Sequence, residues 1–197
     1  MMLAEPDQVS ALILAGGRSS RMGTDKALLL WKGIPLLERV CRVADQCCSS
    51  VSVLTPWPQR YQPIISVPVQ FIEEATPQQG PLIALGQGLE EISSPWILLL
   101  ACDLPCLESQ LLRGWSRKLR GLPDPLLAQV PYHQERWEPL CGFYHRRCLP
   151  QLQSFIAQGG RSFQGWLEQM PVQKLAVNGA TAAMLRNCNT PEDLASS

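Results

Sequence analysis

Short runs of apolar residues alternate along the first half of the chain with segments whose apolar residues recur at helical spacing. The runs, each typical of a buried strand, are Val9–Leu14, Val51–Leu54, Val67–Ile72 and Trp96–Ala101. The helical segments begin near Pro35, Gly80-Pro81 and Glu108. Crossover helices hide both faces of a parallel sheet, so this alternation predicts an α/β fold. We expect a Rossmann-like, doubly wound, mostly parallel sheet with helices on both faces.

The pattern weakens in the second half of the chain. Strands are predicted at Leu126–Val130 and Pro139–Tyr144, where they could form a hairpin. Helices are predicted at Leu149–Ala157 and Ser162–Met170. Thr190 and Pro191 have the character of an N-cap and a first helical residue. No repeat and no linker divides the sequence, so residues 1–197 are predicted to form a single domain.

Composition narrows the classes of partner. Apolar residues make up 46% of the chain and charged residues 17%, which is enough apolar material for a packed core. The 17 acidic and 17 basic side chains cancel, which argues against nucleic acid or anionic lipid as a partner. The start lacks the basic cluster of a secretory signal, and the apolar runs are too short to cross a membrane. We therefore expect a soluble, cytoplasmic protein whose eight cysteines stay reduced.

A loop rich in glycine and basic side chains follows the first predicted strand. From Ala15 to Lys26 it contains three glycines, two arginines and one lysine. Glycines let backbone N–H groups approach phosphate oxygens closely, and the cations neutralise phosphate charge. The spacing matches neither the GxGxxG dinucleotide fingerprint nor the GxxxxGK[ST] P-loop. The sequence therefore predicts a triphosphate-binding loop of another kind.

Acidic side chains follow two of the predicted strands. Asp103 comes directly after the strand that ends near Ala101, which places it at the carboxyl edge of the sheet, where open α/β folds bind ligands. Magnesium prefers one or two carboxylates together with phosphate oxygens and water, so Asp103 is the predicted Mg²⁺ ligand. Glu73 and Glu74 end another predicted strand at this edge. Two interpretations of this pair stay open, namely contact with the metal or the ribose, and a solvated strand end without a ligand.

Four segments of the sequence resemble the MobA family, the molybdenum cofactor guanylyltransferases. In chain order they are LAGGRSSRMGTDKALL, IEEATPQQGPLIAL, LLLACDLPCL and MLRNCNTPEDL. The first segment is shared with nucleotidyltransferases that use other small acceptors, and the last supports the narrower assignment. The resemblance implies transfer of GMP from GTP to the phosphate of molybdenum-molybdopterin, with release of pyrophosphate. It also implies a nucleotide-binding N-terminal half and an acceptor-binding C-terminal half.

The resemblance assigns residues to both substrates. Those implied for the nucleotide are Leu14, Ala15, Gly16 and Lys26, with Mg²⁺ on Asp103. The predicted nucleotide site also includes Gly17 and Glu74. Those implied for the acceptor are Gly23, Arg161, Asn187 and Asn189. The acceptor phosphate is itself a nucleophile, so the enzyme needs only to place the reactants and neutralise charge. Arg21, Lys26 and Asp103 are the predicted catalytic residues. Other partners would be cofactor-biosynthesis proteins and recipient molybdoenzymes.

Two positions depart from the family pattern. Leu54 stands where some members carry asparagine, and Glu74 stands where they carry aspartate. Both are expected near the nucleoside, so they bear on base selectivity.

Three alternative functions stay open at this point. The first is transfer of CMP to molybdopterin, or of a nucleotide to a sugar phosphate, which the doubled glycine and the Asn187-Cys188-Asn189 segment disfavour. The second is a non-catalytic nucleotide-binding module, which would not need Asp103. The third is a nicotinamide oxidoreductase, which the missing fingerprint disfavours.

Overall fold

A computed structural model of the chain describes residues 9–16 and 25–188. The strands in these ranges are β1 (Val9–Leu14), β2 (Leu30–Trp31), β3 (Ile34–Pro35), β4 (Ser50–Thr55), β5 (Gln70–Glu73), β6 (Trp96–Ala101), β7 (Ala128–His133), β8 (Arg136–Trp137), β9 (Cys141–His145) and β10 (Val172–Ala176). The α-helices are α1 (Leu36–Cys47), α2 (Pro58–Tyr61), α3 (Pro81–Glu91), α4 (Ser109–Ser116), α5 (Leu149–Ala157), α6 (Phe163–Leu167) and α7 (Gly179–Met184). None of the helices in the described ranges combines the length and apolarity needed to span a bilayer.

The central sheet has the strand order β10-β7-β9-β6-β1-β4-β5, and β8 pairs with β7. Strand β1 runs parallel to both of its neighbours, β4 and β6, and the pairs β4–β5 and β7–β10 are also parallel. Strand β9 is inserted antiparallel between β6 and β7. From β1 the chain winds outward through β4 and β5 and then returns to β6 on the other side. This mostly parallel, doubly wound α/β sheet confirms the predicted fold class.

Apolar layers cover both faces of the sheet. Helices α1 and α4 pack on the face that contains Ile13, through residues such as Leu37 and Trp115. Helices α3, α5 and α6 pack on the opposite face, which contains Leu12. Successive side chains of a strand point to opposite faces, so a strand buried on both sides is mostly apolar. Strand β6 is apolar throughout, and the single polar residue of β1, Ser10, is buried with its hydroxyl bonded to two other serine hydroxyls.

The described structure differs from the predicted elements mainly at the sheet margin. The strand predicted at Val67–Ile72 begins only at Gln70, after Pro68, which has no N–H to donate to a ladder. The sequence pattern does not predict β2, β3, β8, β10, α2 or α7. Strand β10 is an edge strand with three of its five residues exposed, so it lacks an apolar run. The helix start predicted at Thr190 lies outside the described residues.

Candidate active site

A cleft of about 520 Å³ opens at the carboxyl edge of the central sheet. Strands β1, β4 and β6 contribute Leu14, Leu54 and Ala101 to its lining, and the first turn of α3 contributes Pro81 and Ala84. In a doubly wound sheet the ligand binds where successive connections leave in opposite directions, which here is between β1 and β6. The topology therefore places the cleft where a substrate is expected.

The glycine-rich loop leaves β1 close to the neighbouring strand end. The Ala15 amide donates to the Leu54 carbonyl at 3.0 Å, which extends the pairing of β1 with β4. A Cβ atom on Gly16 would lie 2.7 Å from Cδ of Pro56 and 3.1 Å from Oε2 of Glu74. Gly16 is thus required by the close approach of these two side chains, and it brings the Glu74 carboxylate to the start of the loop.

The Glu74 backbone is fixed from two sides. Its amide donates to the Thr55 carbonyl at 3.0 Å, beyond the end of the β4–β5 ladder. The Gln87 side chain on α3 donates to the Glu73 carbonyl at 2.8 Å and accepts from the Ala75 amide at 3.0 Å. Burial raises the pKa of the Glu74 carboxyl above its usual range. The cleft wall therefore holds one partly desolvated carboxylate in a defined place.

Lys26 and Asp103 face each other across the cleft. Nζ of Lys26 lies 3.8 Å from Oδ2 of Asp103, with the side chains 26% and 19% exposed. The Asp103 carbonyl accepts from the Cys188 amide at 3.0 Å, which ties the C-terminal segment to the loop after β6. Burial raises the pKa of the Asp103 carboxyl, and the Lys26 ammonium opposes this rise. An ammonium can bind the oxygens of a polyphosphate, and a carboxylate beside it can bind the metal ion that accompanies the polyphosphate.

Asp25 joins the end of the glycine-rich loop to α2. Its Oδ1 atom accepts from the Ala27 amide at 3.1 Å and so caps the 3₁₀ turn Lys26–Leu28. Its Oδ2 atom accepts from the Tyr61 hydroxyl at 2.9 Å and lies 3.1 Å from Nε of Arg60. Burial, reinforced by the Asp25 carboxylate, raises the pKa of Tyr61, so its hydroxyl remains a donor at neutral pH.

The cleft brings together most of the described residues that the sequence assigned to substrates. Its lining includes Leu14, Ala15, Gly16, Lys26, Glu74, Asp103 and Asn187. Arg161 is not among the lining residues, and its Nη1 donates to the carbonyls of Ile156 and Gly160 beyond α5. Gly17, Arg21, Gly23 and Asn189 lie outside the described residues. The roles assigned to all of these residues stay predictions.

Sequence reasoning missed part of the cleft lining. Asp25, Trp57, Arg60 and Tyr61 all contribute to it. The sequence pattern predicts no element between the strand Val51–Leu54 and the strand Val67–Ile72. A proline is favoured in the first turn of a helix, so Pro58 was the available signal for α2. Nothing local connects the Arg60-Tyr61 pair to Asp25, because that contact exists only in the folded chain.

Asp103 is the described residue best suited to a magnesium ion. Within residues 9–16 and 25–188, no group of three His, Cys, Asp or Glu side chains is arranged to hold a metal. Magnesium commonly takes only one or two protein carboxylates and completes its octahedron with phosphate oxygens and waters. The Asp103 carboxylate lines the cleft and meets that requirement. The residues fit a magnesium ion that arrives with a nucleotide rather than one held by the protein alone.

Comparison with known proteins gives consistent matches along the chain. The family described as MobA-like NTP transferase domain matches residues 11–173. A protein of Nostoc sp. named "Probable molybdenum cofactor guanylyltransferase" is 52% identical over 189 residues, which cover 96% of this chain and 90% of that protein.

Solved structures share the fold at lower identity. Molybdopterin-guanine dinucleotide biosynthesis protein A from Archaeoglobus fulgidus superposes with a TM-score of 0.77 at 21% identity, over 95% of each chain. The 4-diphosphocytidyl-2C-methyl-D-erythritol synthase from Anaerococcus prevotii superposes with a TM-score of 0.73 at 12% identity, over 98% of this chain and 95% of that one. Proteins whose names indicate guanine and cytidine products thus share this fold, so the fold alone does not specify a nucleotide.

Proposed function

Because the chain belongs to the MobA-like NTP transferase family, we propose that it transfers GMP from GTP to the phosphate of molybdenum-molybdopterin and releases pyrophosphate. The observation that carries this proposal is the placement of Lys26 3.8 Å from Asp103 in the cleft beside the glycine-rich loop. The 52% identity to a relative named as a guanylyltransferase of the molybdenum cofactor supports the choice of both substrates.

The reaction is an in-line displacement at the α-phosphorus of GTP. An oxygen of the acceptor phosphate forms the new bond, the bond to the bridging oxygen of the β-phosphate breaks, and pyrophosphate leaves. The nucleophile comes from the acceptor, so the protein contributes placement and charge neutralisation. Lys26 binds phosphate oxygens, and Asp103 holds the magnesium ion. When bound, magnesium neutralises charge on the phosphates of the leaving group.

Base selection is assigned to Glu74. Guanine presents two neighbouring donors, N1–H and the 2-amino group, and an ionised carboxylate is an acceptor for both. Adenine has an acceptor at N1, so the same carboxylate disfavours ATP. Leu54 and Pro81, which also line the cleft, supply apolar surface for the base. Glu74 therefore takes the place of the aspartate carried by some family members.

The acceptor is assigned to the C-terminal half of the chain. Beyond the loop after β6, the described residues that line the cleft are Leu140 and Asn187. Arg161, Gly23 and Asn189 keep their predicted acceptor roles, and Arg161 has N–H donors other than the Nη1 group that binds the Ile156 and Gly160 carbonyls. We place the reaction in the cytoplasm, between proteins that supply the pterin and molybdoenzymes that receive the product.

The test is pyrophosphate release from GTP, CTP, ATP and UTP, with magnesium and with or without a molybdopterin acceptor. Release should require GTP and acceptor together. Lys26→Met should abolish it, whereas Lys32→Met, in the β2–β3 turn outside the cleft lining, should not. Preference for CTP would indicate the cytidylyltransferase instead. Absence of release with every nucleotide would favour a binding module.

A further inference from the structure

Helix α2 contacts the end of the glycine-rich loop through two adjacent side chains. The Tyr61 hydroxyl donates to Oδ2 of Asp25 at 2.9 Å, and Nε of Arg60 lies 3.1 Å from the same oxygen. The other carboxylate oxygen, Oδ1, accepts from the Ala27 amide at 3.1 Å. Lys26 therefore lies between Asp25 and the Ala27 amide that Asp25 binds. The Asp25 side chain thus links the 3₁₀ turn Lys26–Leu28 to helix α2, which follows β4 rather than β1.

We propose that Arg60 and Tyr61 are positioning residues, which set Lys26 against the triphosphate by holding Asp25. This inference rests on the proposed function, because it assigns to Lys26 the phosphates of the nucleotide. Neither Arg60 nor Tyr61 needs to touch a reacting atom in this role. Their effect reaches the substrate through the 3₁₀ turn that Asp25 caps.

Helix α2 is the fixed partner in this contact. Tyr61 is only 1% exposed, and its ring belongs to the apolar layer that also contains α1. The helix is anchored at its start, where the Trp57 amide donates to Oγ1 of Thr55 at 3.2 Å and Pro58 restricts the backbone. The Tyr61 hydroxyl therefore offers a donor at a defined point, and Asp25 adopts the position that this donor sets.

Arg60 also changes the charge of the cleft beside Lys26. The described lining of the cleft includes the carboxylates of Asp25, Glu74 and Asp103, which repel a polyphosphate. The Arg60 guanidinium pairs with Asp25 and reduces that repulsion where Lys26 must meet the phosphates. Placement matters because a displacement of about 1 Å in an active site can lower a rate by about a hundredfold.

The central variant is Tyr61→Phe, which removes one hydroxyl and keeps the ring. With GTP and acceptor, kcat should fall by about tenfold, and the KM for GTP should rise by no more than about threefold, because base contacts are unchanged. Tyr144→Phe is the matched control. Its hydroxyl is also buried and donates to the Pro139 carbonyl at 2.9 Å, away from the cleft lining. The kcat of the Tyr144→Phe variant should stay within about twofold of the wild-type value.

Binding measurements separate positioning from a general structural effect. Tyr61→Phe should weaken GTP by about threefold and leave guanosine unchanged, because guanosine lacks the phosphates assigned to Lys26. In a Lys26→Ala background, Tyr61→Phe should have no further effect on GTP affinity. Arg60→Gln should weaken GTP at least as much as Tyr61→Phe, because it also removes the charge that offsets Asp25.

Several outcomes would overturn the inference. The first is wild-type kcat and GTP affinity in Tyr61→Phe. The second is an equal loss of GTP and guanosine affinity, and the third is independent effects of the Lys26 and Tyr61 substitutions. Failure of the proposed function has a different signature, since a wild-type protein that binds GTP but releases no pyrophosphate contradicts the activity. The two binding comparisons still decide the positioning of Lys26 in that case.

Discussion

Nζ of Lys26 lies 3.8 Å from Oδ2 of Asp103, although the lysine follows the glycine-rich loop after β1 and the aspartate follows β6. Each side chain is about three-quarters or more shielded from water, so the two charges interact more strongly than an exposed pair would. In the absence of nucleotide they neutralise each other. A triphosphate with its magnesium ion would give both groups a new partner, the lysine on phosphate oxygens and the carboxylate on the metal.

Asp103→Asn should remove activity without removing the fold. We expect turnover to fall by at least about a hundredfold, because the variant lacks the carboxylate that we propose as the metal ligand. Burial raises the pKa of the Asp103 carboxyl in the folded state, so its ionised form at neutral pH destabilises the native protein. The variant should therefore have a Tm equal to or above that of the wild type. Turnover assays and calorimetry test this, and an active, magnesium-dependent variant would contradict the metal role.

Gly16→Ala should weaken both the fold and nucleotide binding. The new methyl group would lie 2.7 Å from Pro56 and 3.1 Å from Glu74, so the cleft wall must shift, at a cost of about 1–3 kcal/mol in unfolding free energy. Gly114→Ala in α4 is the control, since a Cβ there meets nothing within 4 Å. It should be neutral or stabilising by up to about 1 kcal/mol. Denaturant unfolding and GTP titration of both variants decide; equal stabilities would contradict the account.

The pH dependence of GTP binding should identify the Glu74 carboxylate. Burial raises the pKa of this group, so it becomes protonated at a higher pH than an ordinary glutamate. Its acceptor role is complete above the raised pKa and is lost as the pH falls through it. Glu74→Gln should weaken GTP by about tenfold at neutral pH and should lack that loss. The ratio of the two affinities across pH isolates Glu74, because phosphate and Asp103 titrations affect both proteins; a constant ratio would refute the role.

Alkylation should distinguish the cysteines. A hydrogen bond from Cys48, with help from Arg113, lowers the pKa of Cys47, whereas burial raises the pKa of Cys148 to about 12. The thiolate is the reactive form, so iodoacetamide should modify Cys47 well before Cys148 in the native protein. Peptide mass spectrometry measures the order. Modification of Cys47, which lies outside the cleft lining, should leave turnover unchanged; loss of activity would require a revised site.

Much of the sheet could be predicted from the sequence because its central strands are buried on both faces. That burial favours runs that are wholly or almost wholly apolar, such as Trp96–Ala101 and Val9–Leu14, and the structure confirms both as strands. Strand β10 could not be found in this way. It lies at the edge of the sheet and only Leu175 of its five residues is buried, so its sequence carries no distinctive pattern.

The residues of the candidate site also differ in whether the sequence alone could identify them. Lys26 and Asp103 could be selected because their chemistry is distinctive and each follows a strand of one parallel sheet, whose carboxyl ends share an edge. Arg60 and Tyr61 could not, because their importance lies in a contact with Asp25 from a distant part of the chain. A tyrosine or arginine after Pro58 gives no sign by itself of which side chain it will meet.

The central claim, transfer of GMP rather than of another group, is tested most directly by following two isotopic labels. GTP labelled at the α-phosphorus and GTP labelled at the γ-phosphorus are each incubated with the protein, magnesium and molybdenum-molybdopterin. The α label should appear in a guanine dinucleotide of the pterin and the γ label in pyrophosphate, with neither product formed by Lys26→Met. Transfer of the γ label to the acceptor, or release of the α label as free GMP or GDP without a dinucleotide, would contradict the account.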